Sequence, residues 1–445
     1  MSLKDADKEF VWHPYTQMSD WDKWNNRVIV KGEGFYLIDS ESRKYLDGIA
    51  SMWCNVWGHG QNKVVEAMTK QLKNLQHSTL FGLASGPSVQ LAERLVGLAR
   101  GMDRVFYTDN GSTAIEAAMK MALQYWRNKG RDAKIEFISL EHGYHGDTIG
   151  AMSVGYIENF FGAYKPLLTR VHRAPSPLLY KSRFEDERDL AEWCLEKTER
   201  LLKKRGDRFA AMIMESGAQI AGGAIIYPAG YQRKVAKLCK DNDVLLVLDE
   251  IATGFGRLGS MIEYLAQRSE PDIVCFGKAL TAGYFPLAVT LTTDRIFNAF
   301  LGKYSENKHL CHGHTFTGHP VGCAAALANI ELYEKRNLIQ QINANTRYVA
   351  SRLLEFARSP IVTDIRHKGL LAGIELARNN KPIITLKNKE RINYFIMQES
   401  LKMGVHLRSL GNILMVIPPL AIGRRDLEKL LDVQLEILRK VERLS

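Results

Sequence analysis

A lysine and an aspartate each stand at the end of a hydrophobic, strand-like run. Asp249 follows residues 244–248, and Lys278 follows residues 272–277. The residues after Lys278 are small or apolar, so this lysine lacks the usual solvated helix face. Desolvation there would lower the pKa of its amine and make it nucleophilic. These features favour a lysine that forms a Schiff base, whereas Asp249 by itself also fits an ordinary loop carboxylate.

The separation of these two residues is suited to one cofactor. The chain between Asp249 and Lys278 can hold one helix and one strand, which would return it to the same edge of a parallel sheet. Pyridoxal phosphate (PLP) needs a lysine for its aldehyde and a carboxylate that keeps its pyridine nitrogen protonated, so that the ring accepts electrons. The pair therefore predicts a PLP site.

A glycine and a serine offer a cradle for the phosphate of such a cofactor. Gly111 and Ser112 lie between a predicted strand at 104–109 and a predicted helix at 112–128. Small residues at a helix N-terminus expose backbone N–H groups to an anion, and the helix dipole adds to the attraction. The same residues also make an ordinary turn and N-cap, so this interpretation depends on the predicted lysine and aspartate.

An aromatic residue is available to cover a flat ring. Tyr144 lies between His142 and His145 and close to Asp147. Aromatic stacking contributes about 0.5–1.5 kcal/mol beyond burial, so Tyr144 is a candidate for packing against the cofactor. The alternative is a structural loop with exposed histidines.

Several side chains of the kinds that bind metals crowd into residues 309–319, namely His309, Cys311, His312, His314 and His319. Their spacing fits no zinc motif, and alternate residues of an extended segment point to opposite faces. We therefore expect no metal site. The hydroxyls of Thr315 and Thr317 are better suited to phosphate or backbone contacts.

The elements that must position these groups alternate along the chain. The predicted strands cover residues 104–109, 134–141, 210–216, 244–250 and 272–277, and predicted helices cover 112–128 and 231–242. Such alternation indicates an α/β fold with a mostly parallel sheet between helices.

The ends of the chain have a different pattern. After residue 330 come amphipathic helices, a strand pair around 407–419 and a terminal helix near 424–443. We predict three units: an N-terminal segment, residues 1–60, that contributes to a small domain and to dimer contacts; a large PLP-binding domain, residues 61–325; and a C-terminal small domain, residues 326–445.

Composition excludes several classes of protein. The chain has 445 residues, 46% of them hydrophobic and 24% charged, which is too apolar for collagen, mucin or wholesale disorder. No apolar run approaches the roughly 18 residues that span a bilayer, and the first residues lack the apolar region of a secretory signal.

The six scattered cysteines suggest reduced thiols. We expect a cytoplasmic protein without a membrane partner.

The net charge of +11 raises the question of a nucleic-acid partner. The longest basic clusters are only two or three residues long, at 203–205 and 424–425, and they lack interleaved aromatic residues. We expect no nucleic-acid partner and interpret the surplus as ordinary surface charge.

Six motifs together resemble the class III, fold-type I PLP-dependent aminotransferases, and in particular the 7,8-diaminononanoate synthases of biotin biosynthesis. The motifs are HPYTQM (13–18), LDGIASMW (46–53), YHGDTIGAMS (144–153), LDEIATGFGR (248–257), FGKALTAG (276–283) and HGHTFTGHP (312–320). The resemblance implies a large domain with a mostly parallel, seven-stranded sheet flanked by helices, and a smaller α+β domain. It also implies a homodimer with active sites at the subunit interface.

The resemblance also implies roles for individual residues. Lys278 would bind the cofactor and shuttle a proton, Asp249 would pair with the pyridine nitrogen, and Tyr144 would stack on the ring. Gly111 and Ser112 would hold the phosphate, with Thr315 reaching it from the partner subunit. Arg408 would bind the substrate carboxylate, and Glu215 would support the site. The remaining residues implied to bind substrate are Tyr15, Trp53, Asp147, Arg257 and Gly313.

The implied activity is transfer of an amino group from S-adenosylmethionine to 8-amino-7-oxononanoate. The chain has Met52 where many members that use this donor have a first tryptophan, and the related lysine-using synthases also lack it, so lysine is an alternative donor. The chain also departs from the residues usual in this family at Ser216, Ile220 and Ser409. Another class III ω-aminotransferase, a PLP decarboxylase or an aminomutase would share Lys278 and Asp249. A third alternative is a regulator that senses PLP without catalysis. Such a protein would be expected to carry a basic helix-turn-helix extension.

Overall fold

The computed structural model describes residues 1–24, 26–177 and 183–445. The strands are β1 (Ile29–Glu33), β2 (Tyr36–Asp39), β3 (Lys44–Asp47), β4 (Arg104–Thr108), β5 (Glu136–Leu140), β6 (Val171–Ala174), β7 (Phe209–Glu215), β8 (Ala218–Gln219), β9 (Ile225–Ile226), β10 (Leu245–Asp249), β11 (Ile273–Phe276), β12 (Ala288–Thr292), β13 (Val362–Lys368), β14 (Leu371–Arg378), β15 (Lys381–Pro382), β16 (Val405–His406), β17 (Ser409–Leu410) and β18 (Ile413–Val416).

The α-helices are α1 (Leu3–Phe10), α2 (Met18–Trp21), α3 (Ala50–Trp53), α4 (Asn62–Asn74), α5 (Gly86–Leu98), α6 (Gly111–Asn128), α7 (Ile149–Val154), α8 (Glu158–Phe161), α9 (Glu187–Arg205), α10 (Tyr231–Asp241), α11 (Glu263–Ala266), α12 (Asp294–Asn298), α13 (Pro320–Lys335), α14 (Leu338–Phe356), α15 (Ile392–Lys402) and α16 (Arg424–Leu444). None of the helices formed by the described residues combines the length and apolarity needed to cross a membrane.

A seven-stranded sheet with the order β4-β12-β11-β10-β7-β5-β6 forms the centre of the fold. All of its neighbouring pairs are parallel except the two made by β12, which runs antiparallel to β11 and β4. The prediction of an α/β fold with a mostly parallel, seven-stranded sheet is confirmed. The sequence pattern did not predict β12, the single antiparallel strand.

The middle strands are buried because helices cover both faces of this sheet. Every residue of β7, β10 and β11 is buried, as expected for parallel strands. Successive side chains of β10 enter different cores: Leu245 and Val247 pack with α6, and Leu246 and Leu248 pack into the large core on the opposite face. This alternation explains why the run at 244–248 is uniformly hydrophobic.

Both ends of the chain contribute to smaller sheets. The four-stranded sheet β1-β2-β3-β16 joins the first strands to a late one, since β3 pairs in parallel with β16. A second sheet has the order β13-β14-β18-β17, with β15 beside β14. The predicted strand pair around 407–419 corresponds to β17 and β18, and the terminal helix is α16. The domain boundaries at residues 60 and 325 stay a prediction.

One edge of the central sheet collects the groups singled out in the sequence. β5, β7, β10 and β11 run in the same direction, so their carboxyl ends meet there. β4 has the same direction because it pairs antiparallel with β12, and α6 begins just after it. Ligands of open α/β sheets bind outside this edge.

Candidate active site

A cavity of about 450 Å³ lies at the carboxyl edge of the central sheet. Of the predicted site residues, Trp53, Gly111, Ser112, Tyr144, Asp249 and Lys278 line it, and so does Glu215. The carboxyl ends of β7 and β10, the segments that follow β5 and β11, and the N-terminus of α6 therefore meet in one place. Tertiary folding brings together residues that are more than 200 positions apart in sequence.

The N-terminus of α6 forms one wall of the cavity. Asn110 is the N-cap, and its side chain accepts a hydrogen bond from the backbone N–H of Thr113. The N–H groups of Gly111 and Ser112, the first two residues of the helix, have no intrahelical partner. A Cβ atom on Gly111 would lie 2.8 Å from Cγ2 of Ile251. Glycine thus allows the helix end to approach the opposite wall, where its free N–H groups can meet an anion.

Asp249 is held by two hydrogen bonds at the end of β10. Its Oδ1 accepts from the backbone N–H of Ile251 at 2.9 Å, and its Oδ2 lies 2.7 Å from Nδ1 of His145. Both side chains are buried. The imidazole therefore fixes the direction in which this carboxylate faces the cavity.

Lys278 begins a short 3-10 turn after β11 and has a positive φ of 43°. This left-handed conformation is costly for a lysine, and such strain concentrates at functional sites. Its Nζ lies 5.5 Å from the centre of the Trp53 ring. Burial lowers the pKa of Lys278, although Asp249 and Glu215 act in the opposite direction. A lowered pKa makes the neutral, nucleophilic amine more available.

Glu215 is a second buried carboxyl at the same edge, at the end of β7. It accepts hydrogen bonds from the backbone N–H groups of Tyr144, at 3.2 Å, and Ile220, at 2.9 Å. Burial raises the pKa of Glu215 to about 8, and the nearby Asp249 adds to this rise. Glu215 therefore ties the loop of Tyr144 to the sheet, and its raised pKa favours the protonated form of this carboxyl.

Tyr144 and Tyr15 converge on one carboxylate at the mouth of the cavity. The hydroxyl of Tyr15 donates to Oδ1 of Asp147 at 2.6 Å, and that of Tyr144 donates to Oδ2 at 3.2 Å. The backbone N–H of Asp147 donates to Oγ of Ser112 at 3.1 Å. Gly146 has a φ of 124°, and a Cβ there would overlap Ser112. The tyrosine loop and the helix N-terminus therefore pack directly against each other.

Trp53 and Arg408 approach the site from the small sheets. Residues 50–53 all have positive φ angles, and this unusual turn places Trp53 in the cavity wall. Arg408 lies outside the cavity lining, with Nη1 3.3 Å from Sδ of Met52. Burial lowers the pKa of Arg408, and its charge interacts with Tyr15 and Tyr144. The arginine thus stands near the mouth rather than in the wall.

Three predicted site residues lie away from the cavity of this chain. Arg257 is buried behind it, and its Nη1 donates to the backbone carbonyls of Leu370, at 2.9 Å, and Pro418, at 2.8 Å. Thr315 is exposed. Gly313 contacts another loop, since a Cβ there would lie 2.7 Å from the ring of Phe81. Their assignment to the site stays a prediction.

The structure adds residues that the sequence did not single out. The sequence marks His145 only as a neighbour of Tyr144 and gives no role in the site to Cys54 or Asp109, but all three line the cavity. A histidine next to the predicted stacking tyrosine was the only available signal, because its contact with Asp249 spans 104 positions. Among the described residues, no group of three or more His, Cys, Asp or Glu side chains is placed to hold a metal ion.

Together these groups suit a flat, anionic cofactor that carries an aldehyde. The free N–H groups of the α6 N-terminus suit a phosphate, the amine of Lys278 suits an aldehyde, and the oriented carboxylate of Asp249 suits a protonated ring nitrogen. The lining residues therefore fit PLP.

Comparisons with known proteins agree with this geometry. Residues 18–438 match the family model for class-III aminotransferases. The adenosylmethionine-8-amino-7-oxononanoate aminotransferase of Methanocaldococcus jannaschii is 40% identical, over 99% of this chain and 98% of the relative. The enzyme of the same name from Geobacter sulfurreducens is 42% identical over 97% of this chain and 96% of its own.

Solved structures give the same result. The crystal structure of the Methanocaldococcus jannaschii enzyme superposes with a TM-score of 0.90 over 99% of both chains. An omega transaminase from Pseudomonas jessenii in complex with PMP, 28% identical, has a TM-score of 0.94 over 100% of this chain and 99% of its own. An amine transaminase from an uncultivated Pseudomonas species in its PLP-bound form is 32% identical. It has a TM-score of 0.89 over 97% of this chain and 99% of its own. On the evidence of the family match and of these near full-length relatives, the chain belongs to the class-III aminotransferases.

Proposed function

We propose that the chain transfers an amino group from S-adenosylmethionine to 8-amino-7-oxononanoate and so forms the 7,8-diaminononanoate of biotin biosynthesis. One observation carries this proposal: several relatives that bear this activity in their name are about 40% identical to nearly the whole chain. The cofactor is PLP, as in the class-III aminotransferases. When bound, PLP supplies an electron sink that stabilises negative charge at the carbon from which a proton is removed.

The cavity wall would hold the cofactor at three points. The N–H groups of Gly111 and Ser112 would donate to the phosphate, aided by the dipole of α6. Asp249 would pair with the protonated ring nitrogen, and His145 would keep the carboxylate in place for this contact. Tyr144, which lines the cavity, would stack on the ring.

Lys278 would carry out the proton transfers. Burial lowers the pKa of its amine, so Nζ can accept a proton from the donor and return it at a neighbouring position. Trp53 lies over this amine and limits its contact with water. The amino group would leave one substrate, stay with the enzyme while the keto co-product departs, and then pass to the ketone of the second substrate.

Substrate recognition would take place at the mouth of the cavity. Arg408 would bind the carboxylate of 8-amino-7-oxononanoate, since a guanidinium forms paired hydrogen bonds with a carboxylate. Tyr15 and Asp147 would line the pocket beside it. Arg257 would contribute from behind the wall, where its Nε and Nη2 have no hydrogen-bond partner among the described residues.

The working unit would be a cytoplasmic homodimer. Thr315 is exposed and Gly313 lies outside the cavity of its own chain, which suits residues that complete the site of a partner subunit. Light scattering after size-exclusion chromatography would give twice the chain mass of 50.4 kDa. A monomer that is fully active would contradict this arrangement.

A spectroscopic experiment tests the donor. The PLP-loaded protein is mixed separately with S-adenosylmethionine and with lysine, and the visible absorbance of the bound cofactor is followed. Loss of this absorbance with S-adenosylmethionine, and recovery on adding 8-amino-7-oxononanoate, is the expected result. Loss with other ω-amines but with neither of these donors would overturn the proposal.

Lysine is the second candidate donor, and one residue favours it. Met52 stands where many S-adenosylmethionine-using members have a tryptophan, and its side chain is exposed beside Arg408. A Met52→Trp variant should lower the KM for S-adenosylmethionine if this position contacts the donor. A variant that instead gains nothing with S-adenosylmethionine and loses activity with lysine would assign lysine as the donor.

A further inference from the structure

Lys278 opens a strained turn whose backbone conformation needs support. It begins the 3-10 turn Lys278–Thr281 with a φ of 43°, and Ala282, which follows the turn, has a φ of 53°. Both values lie in the left-handed region that favours glycine. Residues in such conformations persist where the surrounding structure holds the backbone in place. The contacts that hold this turn therefore decide where Nζ of Lys278 lies.

One buried side chain from outside the turn binds two of its carbonyls. Asn329 lies in α13 and is fully buried. Its Nδ2 donates to the backbone carbonyl of Ala279 at 2.8 Å and to that of Leu280 at 2.9 Å. Ala279 and Leu280 are the two residues after Lys278, so this contact acts on the backbone next to the lysine rather than on its amine.

A tryptophan fixes the direction in which this amide faces. Nε1 of Trp57 donates to Oδ1 of Asn329 at 2.7 Å, and Trp57 is also buried. An indole N–H can only donate, so the amide oxygen must face it and both amide hydrogens must face the carbonyls of the turn. Removal of the amide would therefore leave buried carbonyl groups without this donor, which is costly.

Helix α13 also packs closely against the segment that follows the turn. Gly322 lies seven residues before Asn329 and hence on the same face of the helix. A Cβ on Gly322 would lie 2.7 Å from Cδ1 of Phe285, which lines the cavity. The helix thus approaches this part of the cavity wall at two points, and the amide of Asn329 has little freedom to move away from the turn.

We propose that Asn329 is a positioning residue for Lys278. It holds the turn in the conformation from which Nζ reaches the aldehyde of PLP. In this reaction Nζ attacks the aldehyde carbon, a C=N bond forms, and the aldehyde oxygen leaves as water with the two hydrogens of the amine. Asn329 takes no part in these bonds and acts only through the backbone of the turn. The inference rests on the proposed role of Lys278.

Covalent trapping measures the effect on Lys278 directly. The apo-protein is mixed with PLP, borohydride added at set times reduces the C=N bond to a stable amine, and peptide mass spectrometry gives the fraction attached at residue 278. Asn329→Ala should slow attachment at least about fivefold, as expected when two hydrogen bonds that hold the turn are lost. Trp57→Phe removes the donor that orients the amide and should act in the same direction with a smaller effect.

Pyridoxamine 5′-phosphate separates positioning of the lysine from a change in the whole cavity. This molecule has the ring and phosphate of PLP but an amine in place of the aldehyde, so Lys278 cannot become attached to it. Asn329→Ala should leave its Kd within about twofold of the parent value. In a Lys278→Ala background, Asn329→Ala should likewise leave the Kd for PLP unchanged, because its effect requires the lysine.

Asn345→Ala is the matched control. Asn345 is a buried asparagine of the next helix, α14, and its Nδ2 donates to the backbone carbonyl of Ile422 at 2.9 Å. Its removal should lower the melting temperature, as Asn329→Ala does, but should leave the rate of attachment at Lys278 unchanged.

The outcomes distinguish the inference from the role of the lysine on which it rests. If Lys278→Ala leaves the fraction of covalently attached PLP unchanged, the proposed role of Lys278 fails. If Lys278→Ala abolishes attachment but Asn329→Ala becomes attached as fast as the parent protein, the positioning role of Asn329 is overturned while that of Lys278 stands. An equal loss of affinity for PLP and for pyridoxamine 5′-phosphate would also overturn it, since Asn329 would then support the cavity as a whole.

Discussion

The close approach of α6 to the cavity wall provides a quantitative test. Gly111→Ala would place a Cβ 2.8 Å from Cγ2 and 3.0 Å from Cδ1 of Ile251, well inside the roughly 3.5–4.0 Å at which carbon atoms attract. Ile251 is buried and its backbone N–H is bound by Asp249, so it cannot easily yield. The helix start must therefore shift, and its free N–H groups move with it.

Two opposing terms set the size of the effect. Overpacking of this kind costs about 1–3 kcal/mol, whereas replacing a helical glycine by alanine gains about 0.5–1 kcal/mol. The expected net loss in the free energy of unfolding therefore lies between about 0 and 2.5 kcal/mol, and it is about 1 kcal/mol at the middle of both ranges. If half of that middle value also falls on the phosphate contact, the Kd for PLP rises about two- to threefold, since 1.4 kcal/mol corresponds to tenfold.

Gly97→Ala is the matched control for this prediction. Gly97 is helical and exposed in α5, and a Cβ there meets no atom within 4 Å, so this variant should gain about 0.5–1 kcal/mol. Urea unfolding of the apo-proteins and PLP titration followed by absorbance supply both quantities. If Gly111→Ala is as stable as Gly97→Ala and binds PLP as tightly as the parent protein, the steric argument is refuted.

Three further substitutions test other contacts. His145→Ala removes the 2.7 Å partner of Asp249 and should weaken PLP binding at least about tenfold, because a charge-assisted bond is worth about 1.5–3 kcal/mol; an unchanged Kd would contradict this. Burial raises the pKa of Glu215 to about 8 from an ordinary 4.5. The stability that the protonated carboxyl contributes is therefore complete below pH 4.5 and is lost as the pH rises through 8. Glu215→Gln should therefore flatten the fall in unfolding free energy between pH 5 and 8, measured by urea titration. Lys134→Met leaves three carbonyls without the buried ammonium and should lower stability by about 2–3 kcal/mol without changing the Kd for PLP.

The pattern of the chain predicted most of the central sheet. Five of its seven strands, β4, β5, β7, β10 and β11, were predicted within two residues of their observed ends, because buried parallel strands appear in sequence as short uniform apolar runs. β12 did not appear in the prediction. Its antiparallel direction depends on its pairing with β11 and β4, which a local pattern does not specify.

The sequence predicted some residues of the candidate site and missed others. Lys278, Asp249 and Tyr144 have recognisable local surroundings, and the structure brings them into one cavity. His145 was missed as a functional residue because a histidine in a loop has no local signature of its contact with Asp249. The guanidinium of Arg257 is buried and donates to two carbonyls of distant loops, and its place in the substrate pocket stays a prediction.

The sequence by itself determined the family, the α/β class and the types of group needed for PLP chemistry. Local apolar runs, a lysine among small residues and a glycine before a helix each depend only on neighbouring positions. Tertiary structure alone decided which groups touch: the imidazole on Asp249, Ile251 against Gly111, and His314 beside Asp109. These contacts join distant segments, and their distances follow from the packing of the whole sheet and its helices.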